Sequence, residues 1–138
     1  MRKALRRGLF LSLLLALALP LASCDSGGSN SSPDWVGNWE VNGTTNRTFF
    51  DLDQDQFTTI EDLSSGCDIT NQDVLEQDGD VVTVDLPDQS GTSKFNLDVS
   101  DGTLTLTVVE SDNPNVSSGD EATAASVDGD PREIAGCS

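Results

Sequence analysis

The sequence predicts an all-β domain over residues 34–138, folded as a small antiparallel up-and-down β-barrel of about eight strands. Three observations predict it: apolar and polar residues alternate with a period of two, turn residues separate the alternating runs, and no window shows a sustained helical period. Strands of regular spacing favour a barrel or a sandwich, and closure removes exposed sheet edges. A β-sandwich is therefore the alternative fold.

The first half of the domain contains less regular strands. A first strand begins near Trp35, and a second carries Phe50 and Leu52 between polar residues. Gln54 and Asp55 then turn the chain into a third strand over residues 57–62. Residues 67–77 predict a weaker, interrupted pair of strands.

The second half alternates more cleanly. After a turn at residues 78–80, one strand spans residues 81–86. The runs 94–99 and 103–108 flank Asp101 and Gly102, the residue pair most typical of a tight hairpin turn. A last strand, poor in apolar residues, covers residues 122–127. One apolar face of these strands should point inward: Trp39, Phe50, Leu52, Phe57, Val82, Val84, Leu86, Phe95, Leu97, Val99, Leu104, Leu106 and Val108.

This inward face has two interpretations. Eight-stranded barrels can be filled by side chains or can hold one small ligand. Because the strands are short, a packed core is favoured, and a ligand cavity is the alternative. The residues expected to form either core or cavity wall are Phe50, Phe57, Phe95, Leu97, Leu104 and Leu106.

The amino terminus predicts export. Four basic residues within the first seven precede an apolar run over residues 9–21, which is too short for a comfortable permanent span. The run ends in Leu21-Ala22-Ser23-Cys24, which resembles the lipobox of bacterial lipoproteins. The resemblance implies a signal peptide over residues 1–23 and a lipid on the Cys24 thiol, with several acyl chains giving durable attachment to a membrane. An ordinary signal peptide is the alternative.

A flexible spacer follows the predicted cleavage site. Residues 24–33 hold no large apolar side chain after the cysteine, so they should link the domain to the membrane without folding. The expected location is the cell envelope, on the periplasmic side or the cell surface, with the membrane leaflet left open. Cys67 and Cys137 are then an even pair in a disulfide-permissive compartment, and a bond between them is expected, with two free thiols as the alternative.

Acidic residues dominate the mature chain. Residues 24–138 hold 3 basic and 24 acidic residues, a formal net charge of −21. Such a surface repels nucleic-acid phosphates and anionic lipid headgroups, so no nucleic-acid partner is expected. An acidic exported chain with one lysine is typical of a halophile, because salt screens its self-repulsion. A generally acidic secreted protein is the alternative.

The start of the domain resembles a known family. Gly37-Asn38-Trp39 resembles the Gly-x-Trp motif that begins the first strand of lipocalins and of bacterial lipocalin-like domains. The resemblance implies that Trp39 plugs the closed end of the barrel and that Arg132, near the chain end, packs over it; a solvent-exposed arginine is the alternative. The second lipocalin motif, a Thr-Asp-Tyr turn, is missing, and the chain has no tyrosine.

The sequence shows no catalytic pattern. It has no histidine, no phosphate-binding glycine loop and no nucleophile elbow, so we expect neither an enzyme nor a bound cofactor. Residues 51–55 place acids at alternate positions, but Gln56 and Asp62 depart from a calcium loop, and no metal site is predicted. The expected function is binding of a small hydrophobic ligand beside the membrane. The alternative is a structural or protein-interaction lipoprotein with a filled barrel, acting through its surface or through residues 113–120.

Overall fold

A computed structural model describes residues 31–137, and it confirms the small up-and-down β-barrel. The predicted signal peptide, Cys24 and most of the spacer lie outside the described residues. The elements are β1 (Gly37–Val41), β2 (Thr48–Leu52), β3 (Gln56–Leu63), β4 (Gly66–Asp78), β5 (Val81–Asp85), β6 (Thr92–Ser100), β7 (Thr103–Ser111), β8 (Glu121–Ser126) and α1 (Pro131–Ile134). Within residues 31–137, no helix has the length and apolar character needed to cross a bilayer.

Every strand pairs antiparallel with the next one along the chain, and β1 pairs with β8 to close the barrel. This closing seam places Trp39 opposite Ser126 and Val41 opposite Ala124. Three residue pairs form the seam, whereas eight join β6 to β7. Since the sheet closes on itself, the alternative of a two-sheet sandwich is excluded.

The hairpin between β6 and β7 has the predicted turn. Asp101 adopts a φ of 51° and Gly102 a φ of 75°. Two successive left-handed residues match the twist of the flanking strands, which is why Asp-Gly is favoured there. The strands on both sides therefore keep the register that their alternation predicts, with Val99 opposite Leu104.

One prediction in the first half was wrong. Residues 67–77 do not form an interrupted pair of strands, because β4 runs without a break for 13 residues. Its register with β5 shifts between Val74 and Glu76. A bulge of this kind breaks the period-two pattern without ending the strand.

One apolar cluster forms the core of the barrel interior. Every residue predicted to point inward belongs to this cluster or, for Phe95 and Val99, packs against it; the exception is Leu86, which follows β5. Trp35, Val41 and Ala124 belong to the cluster as well, and all three are buried. The predicted first strand begins near Trp35, whereas β1 begins at Gly37, and the predicted inward-facing set starts at Trp39 and so omits Trp35.

A second, smaller cluster lies on the outer face of the barrel wall. Phe49 and Ile60 are fully buried, although their neighbours in sequence face the interior. Ala135, just after α1, packs on them from outside. Asp130 caps α1 by accepting a hydrogen bond from the Arg132 backbone N–H at 2.8 Å. This single turn of helix starts at Pro131 and is too short for a helical period to predict it.

The predicted disulfide joins Cys67 to Cys137, with 5.4 Å between their Cα atoms. Cys67 lies at the start of β4, and Cys137 follows α1. The bond therefore fastens the carboxyl-terminal segment across the outer cluster.

Candidate functional site

The two ends of the barrel differ in how they are filled. At the tryptophan end, where β1 begins, Trp35 and Trp39 are buried in the main core cluster. At the loop end lie three longer connections: residues 42–47 between β1 and β2, residues 86–91 between β5 and β6, and residues 112–120 between β7 and β8. The candidate site is a cavity at the loop end.

The cavity has a volume of about 250 Å³ and a mainly apolar wall. Three phenylalanine rings lie along it in tilted contact: the centroid of Phe57 is 5.3 Å from that of Phe50 and 5.5 Å from that of Phe95. Tilted rings at these separations attract each other, so they hold the wall in one arrangement. The lining residues are Phe50, Phe57, Thr59, Gln72, Phe95, Leu106, Val108, Val116, Asp120, Glu121 and Ala122.

The six residues predicted as core or cavity wall divide between the two roles. Phe50, Phe57, Phe95 and Leu106 line the cavity. Leu97 and Leu104 are buried in the packed part of the core and do not line it. The barrel is therefore filled in one part and hollow in another, which combines the two interpretations of the inward face.

The loop at residues 112–120 shapes the mouth of the cavity. Val116 packs against the core from this loop. The Val108 N–H donates to the Asp120 carbonyl at 2.8 Å, and the Gly119 N–H donates to the Val108 carbonyl at 2.7 Å. The loop is thus fixed to the end of β7. One valine among polar residues is too weak a sequence signal to place this loop over a cavity.

A smaller cleft of about 170 Å³ lies beside the cavity. Gln72 lines both spaces, and its side-chain Nε2 donates to the Asp85 carbonyl at 2.9 Å. The other residues of this side cleft are Thr70, Leu86, Pro87, Asp88, Gln89 and Asn113. The Gln72 side chain therefore stands at the boundary between a polar cleft and an apolar cavity.

The residues of the Gly-x-Trp motif lie at the tryptophan end. Gly37 has a φ of 149°, a backbone conformation that residues other than glycine rarely adopt. Trp39 is buried inside the barrel. Arg132 is not placed over that tryptophan. Its Nη1 lies 3.4 Å from Asp51 Oδ2, and Asp51 faces outward between the inward-facing Phe50 and Leu52. The wall of β2 separates Arg132 from Trp39, which corrects the expected cation–π contact.

A different arginine makes the cation–π contact seen in residues 31–137. The Arg47 guanidinium lies 5.0 Å from the centroid of the Phe49 ring, on the outer face. Its Nε also donates to Glu40 Oε1 at 2.8 Å. This hydrogen bond lowers the pKa of the Glu40 carboxyl below its usual 4.5 and raises the pKa of Arg47. The pair braces the connection between β1 and β2 and takes no part in the cavity.

The alternating acids of residues 51–55 do not converge. Asp51 pairs with Arg132, and Asp53 Oδ1 accepts a hydrogen bond from the Gln54 backbone N–H at 2.6 Å. In the part of the chain that the structure describes, no group of three or more acidic or cysteine side chains is arranged to hold a metal ion.

Comparison with models of known protein families finds no match, and comparisons with curated proteins and with solved structures find no match either.

Proposed function

We propose that this protein is a lipid-anchored envelope lipoprotein whose barrel binds a small hydrophobic ligand at its loop end. The observation that carries the proposal is the cavity of about 250 Å³ walled by three phenylalanines, Leu106 and Val108. A barrel packed only for stability would not favour this open space, because a void forfeits contacts among the atoms that line it.

The size of the cavity limits the ligand. An apolar cavity of about 150 Å³ in another protein holds benzene, and drug-sized ligands occupy pockets of about 300–1,000 Å³. At about 250 Å³, the cavity fits a molecule larger than benzene and smaller than most drugs. A ring with a short chain is a ligand of this size.

Support for the proposed anchor comes from the sequence alone. The lipobox at residues 21–24 supports lipidation of Cys24, and a spacer of nine residues follows it. A flexible chain of that length reaches roughly 15–18 Å, so the barrel would work close to the bilayer. Apolar molecules concentrate in the bilayer, which makes a nearby binding protein useful for taking them up or releasing them.

Ligand binding is tested with 4-fluorotoluene, followed by ¹⁹F NMR line broadening. The full-length protein is purified from the cells that express it and reconstituted in nanodiscs of zwitterionic lipid. Empty nanodiscs serve as the blank. We expect saturable broadening that Val108→Trp weakens at least tenfold. Val108 is 3 % exposed and lines the cavity, so an indole there fills the space.

Val109→Trp is the matched control. Val109 is the next residue along β7 and is 43 % exposed, so its side chain points away from the cavity. This variant should bind like the wild type. If Val108→Trp does not fold, Leu106→Phe fills part of the same space. Equal binding by wild type and a folded cavity-filling variant would refute the proposal.

Lipidation is tested separately by mass spectrometry of the amino-terminal peptide. We expect acyl chains on Cys24 and loss of both cleavage and membrane attachment in Cys24→Ser. Cys67→Ser together with Cys137→Ser is the control, and it should remain attached. An unmodified Cys24 in the membrane-free fraction of wild-type cells would refute the anchor and leave the ligand proposal standing.

A further inference from the structure

The mouth of the cavity has one charged side chain fixed beside its apolar wall. Asp120 lines the cavity and is the last residue of the loop that carries Val116. Its Oδ2 accepts a hydrogen bond from the Ser117 N–H at 2.8 Å, and its backbone carbonyl accepts one from Val108. Within residues 31–137, Asp120 Oδ1 has no hydrogen-bond partner. The carboxylate is therefore held in place with one oxygen available to a ligand.

The other acidic residues near the mouth add negative potential. Glu121 also lines the cavity, although its Oε1 lies 3.5 Å from the outward-facing Thr107 hydroxyl. Asp88 lines the adjoining side cleft. Carboxylates around a low-dielectric cavity concentrate cations and repel anions at its entrance.

No basic side chain offsets this potential within the described part of the chain. Arg47 is paired with Glu40 on the outer face, and Arg132 is paired with Asp51. Lys94 precedes Phe95, whose ring lines the cavity, so the lysine side chain points to the other face of β6. An anionic headgroup at the mouth would meet carboxylates and no cation.

We propose that the ligand of this cavity is a small amphiphile with an aromatic or aliphatic body and a cationic group, such as a primary ammonium, that pairs with Asp120. This inference rests on the proposed function and specifies its ligand class. The apolar body packs against the three phenylalanines, and the ammonium donates to Asp120 Oδ1. Hydrophobic burial supplies most of the affinity, and the charge selects among ligands of equal size.

Three ligands with one body and different headgroups test the inference: 3-phenylpropylamine, 3-phenylpropanol and 3-phenylpropanoate. At pH 7 the amine is protonated and the acid is ionised. Titrations use the same nanodisc-held protein and the same blank, in 0.1 M and in 1 M NaCl. At 0.1 M we expect the amine to bind about two- to fivefold more tightly than the alcohol, the range typical of an exposed ion pair, and the carboxylate to bind most weakly.

Asp120→Asn should remove the preference for the amine, measured as the ratio of the dissociation constants of the alcohol and the amine. The asparagine keeps a side-chain oxygen that can accept from the Ser117 N–H, so the loop keeps its anchor. Asp78→Asn is the control, because Asp78 lies at the opposite end of the barrel beside the β4–β5 turn. That variant should keep the preference. The preference should also shrink in 1 M NaCl, where the screening length falls to about 3 Å.

The outcomes separate the two proposals. Equal or tighter binding of the alcohol or the carboxylate in 0.1 M NaCl overturns the cationic ligand and leaves a hydrophobic binding protein. A preference for the amine that persists in Asp120→Asn overturns the role of this carboxylate. Absence of binding for all three ligands, together with absence of 4-fluorotoluene binding, overturns the proposed function itself.

Discussion

The Trp39 indole donates its Nε1–H to the backbone carbonyl of Trp35 at 2.9 Å. Both residues are buried, so the bond forms away from water, where an unpaired carbonyl would be costly. It fixes the chain that enters β1 against the tryptophan that fills this end of the barrel. The Nε1–H of Trp35 itself has no acceptor within residues 31–137.

Replacing each of these two tryptophans with phenylalanine should therefore lower the free energy of unfolding by different amounts. Trp39→Phe loses the hydrogen bond and leaves the Trp35 carbonyl buried without it. Trp35→Phe removes a buried N–H that has no acceptor, which offsets part of the lost packing. We expect Trp39→Phe to lower the free energy of unfolding by about 1–2 kcal/mol more than Trp35→Phe does, measured by urea unfolding. An equal cost for the two variants would contradict this account.

Reduction of the disulfide should destabilise the barrel. The bond closes a loop between positions separated by 70 residues, for which the chain-entropy account gives about 4 kcal/mol. We expect dithiothreitol to lower the urea midpoint of the wild type toward that of the double variant Cys67→Ser, Cys137→Ser. The double variant is the control, because its midpoint should not respond to the reductant. A wild-type midpoint that is insensitive to complete reduction would contradict the prediction.

Gly91 should tolerate a methyl group worse than Gly66 does. Gly91 has a φ of 138°, and a Cβ there would lie 2.5 Å from the Asp112 Cβ. Gly66 has a φ of 133°, and a Cβ added there would meet no atom within 4 Å beyond its chain neighbours. Both alanine variants suffer the backbone strain, but only Gly91→Ala also displaces Asp112, whose Oδ2 accepts a hydrogen bond from Thr92 N at 2.8 Å. We expect Gly91→Ala to cost about 1–3 kcal/mol more in unfolding free energy, measured by urea unfolding, and equal costs would contradict the prediction.

The ion pair between Glu40 and Arg47 predicts a pH dependence. The hydrogen bond from Arg47 lowers the pKa of the folded Glu40 carboxyl below 4.5. A depressed folded pKa stabilises the fold above the unfolded-state pKa, and the effect is lost as the pH falls through the folded value. Glu40→Gln should therefore be less stable than the wild type at pH 7, with a gap that closes below pH 4.5. The gap is measured by urea unfolding across the pH range.

Glu76→Gln serves as the control for that series. Glu76 is exposed and makes no hydrogen bond or ion pair through its side chain within residues 31–137. Its substitution should leave the unfolding free energy nearly unchanged at every pH. A gap for Glu40→Gln that stays constant from pH 7 to pH 3 would contradict the assigned cause.

Local features of the sequence predicted most of the barrel. The Asp101-Gly102 turn and the alternation on both sides of it depend on residues that are near one another in the chain, so the pattern is sufficient to place β6 and β7. The extent of β4 was harder to predict, because the bulge at Val74 and Glu76 shifts the alternation within one strand. The predicted inward-facing set starts at Trp39 and so omits Trp35, which packs into the core from the segment that enters β1.

The candidate site could not be predicted in full from the sequence, because its shape depends on tertiary structure. The pattern identified Phe50, Phe57 and Phe95 as inward-facing, but their ring positions decide whether the space between them is open or filled. Val116 and Asp120 reach the cavity from a loop whose course no periodicity describes. The position of Arg132 likewise depends on which side of the β2 wall the last segment follows.

The seam between β1 and β8 has a consequence for how the molecule forms. Every other pairing joins strands adjacent in the chain, and only the seam must bring together Trp39 and Ser126, near opposite ends of the domain. Because long-range closure costs entropy before its contacts repay it, the seam should be the last pairing to assemble and the first to open. The Val127 N–H donates to the Asn38 carbonyl across the seam at 2.9 Å, so its amide hydrogen should exchange with deuterium faster than that of Leu97, which donates to the Asp80 carbonyl beside the β5–β6 pairing. Transient opening of the barrel would then begin at its shortest ladder.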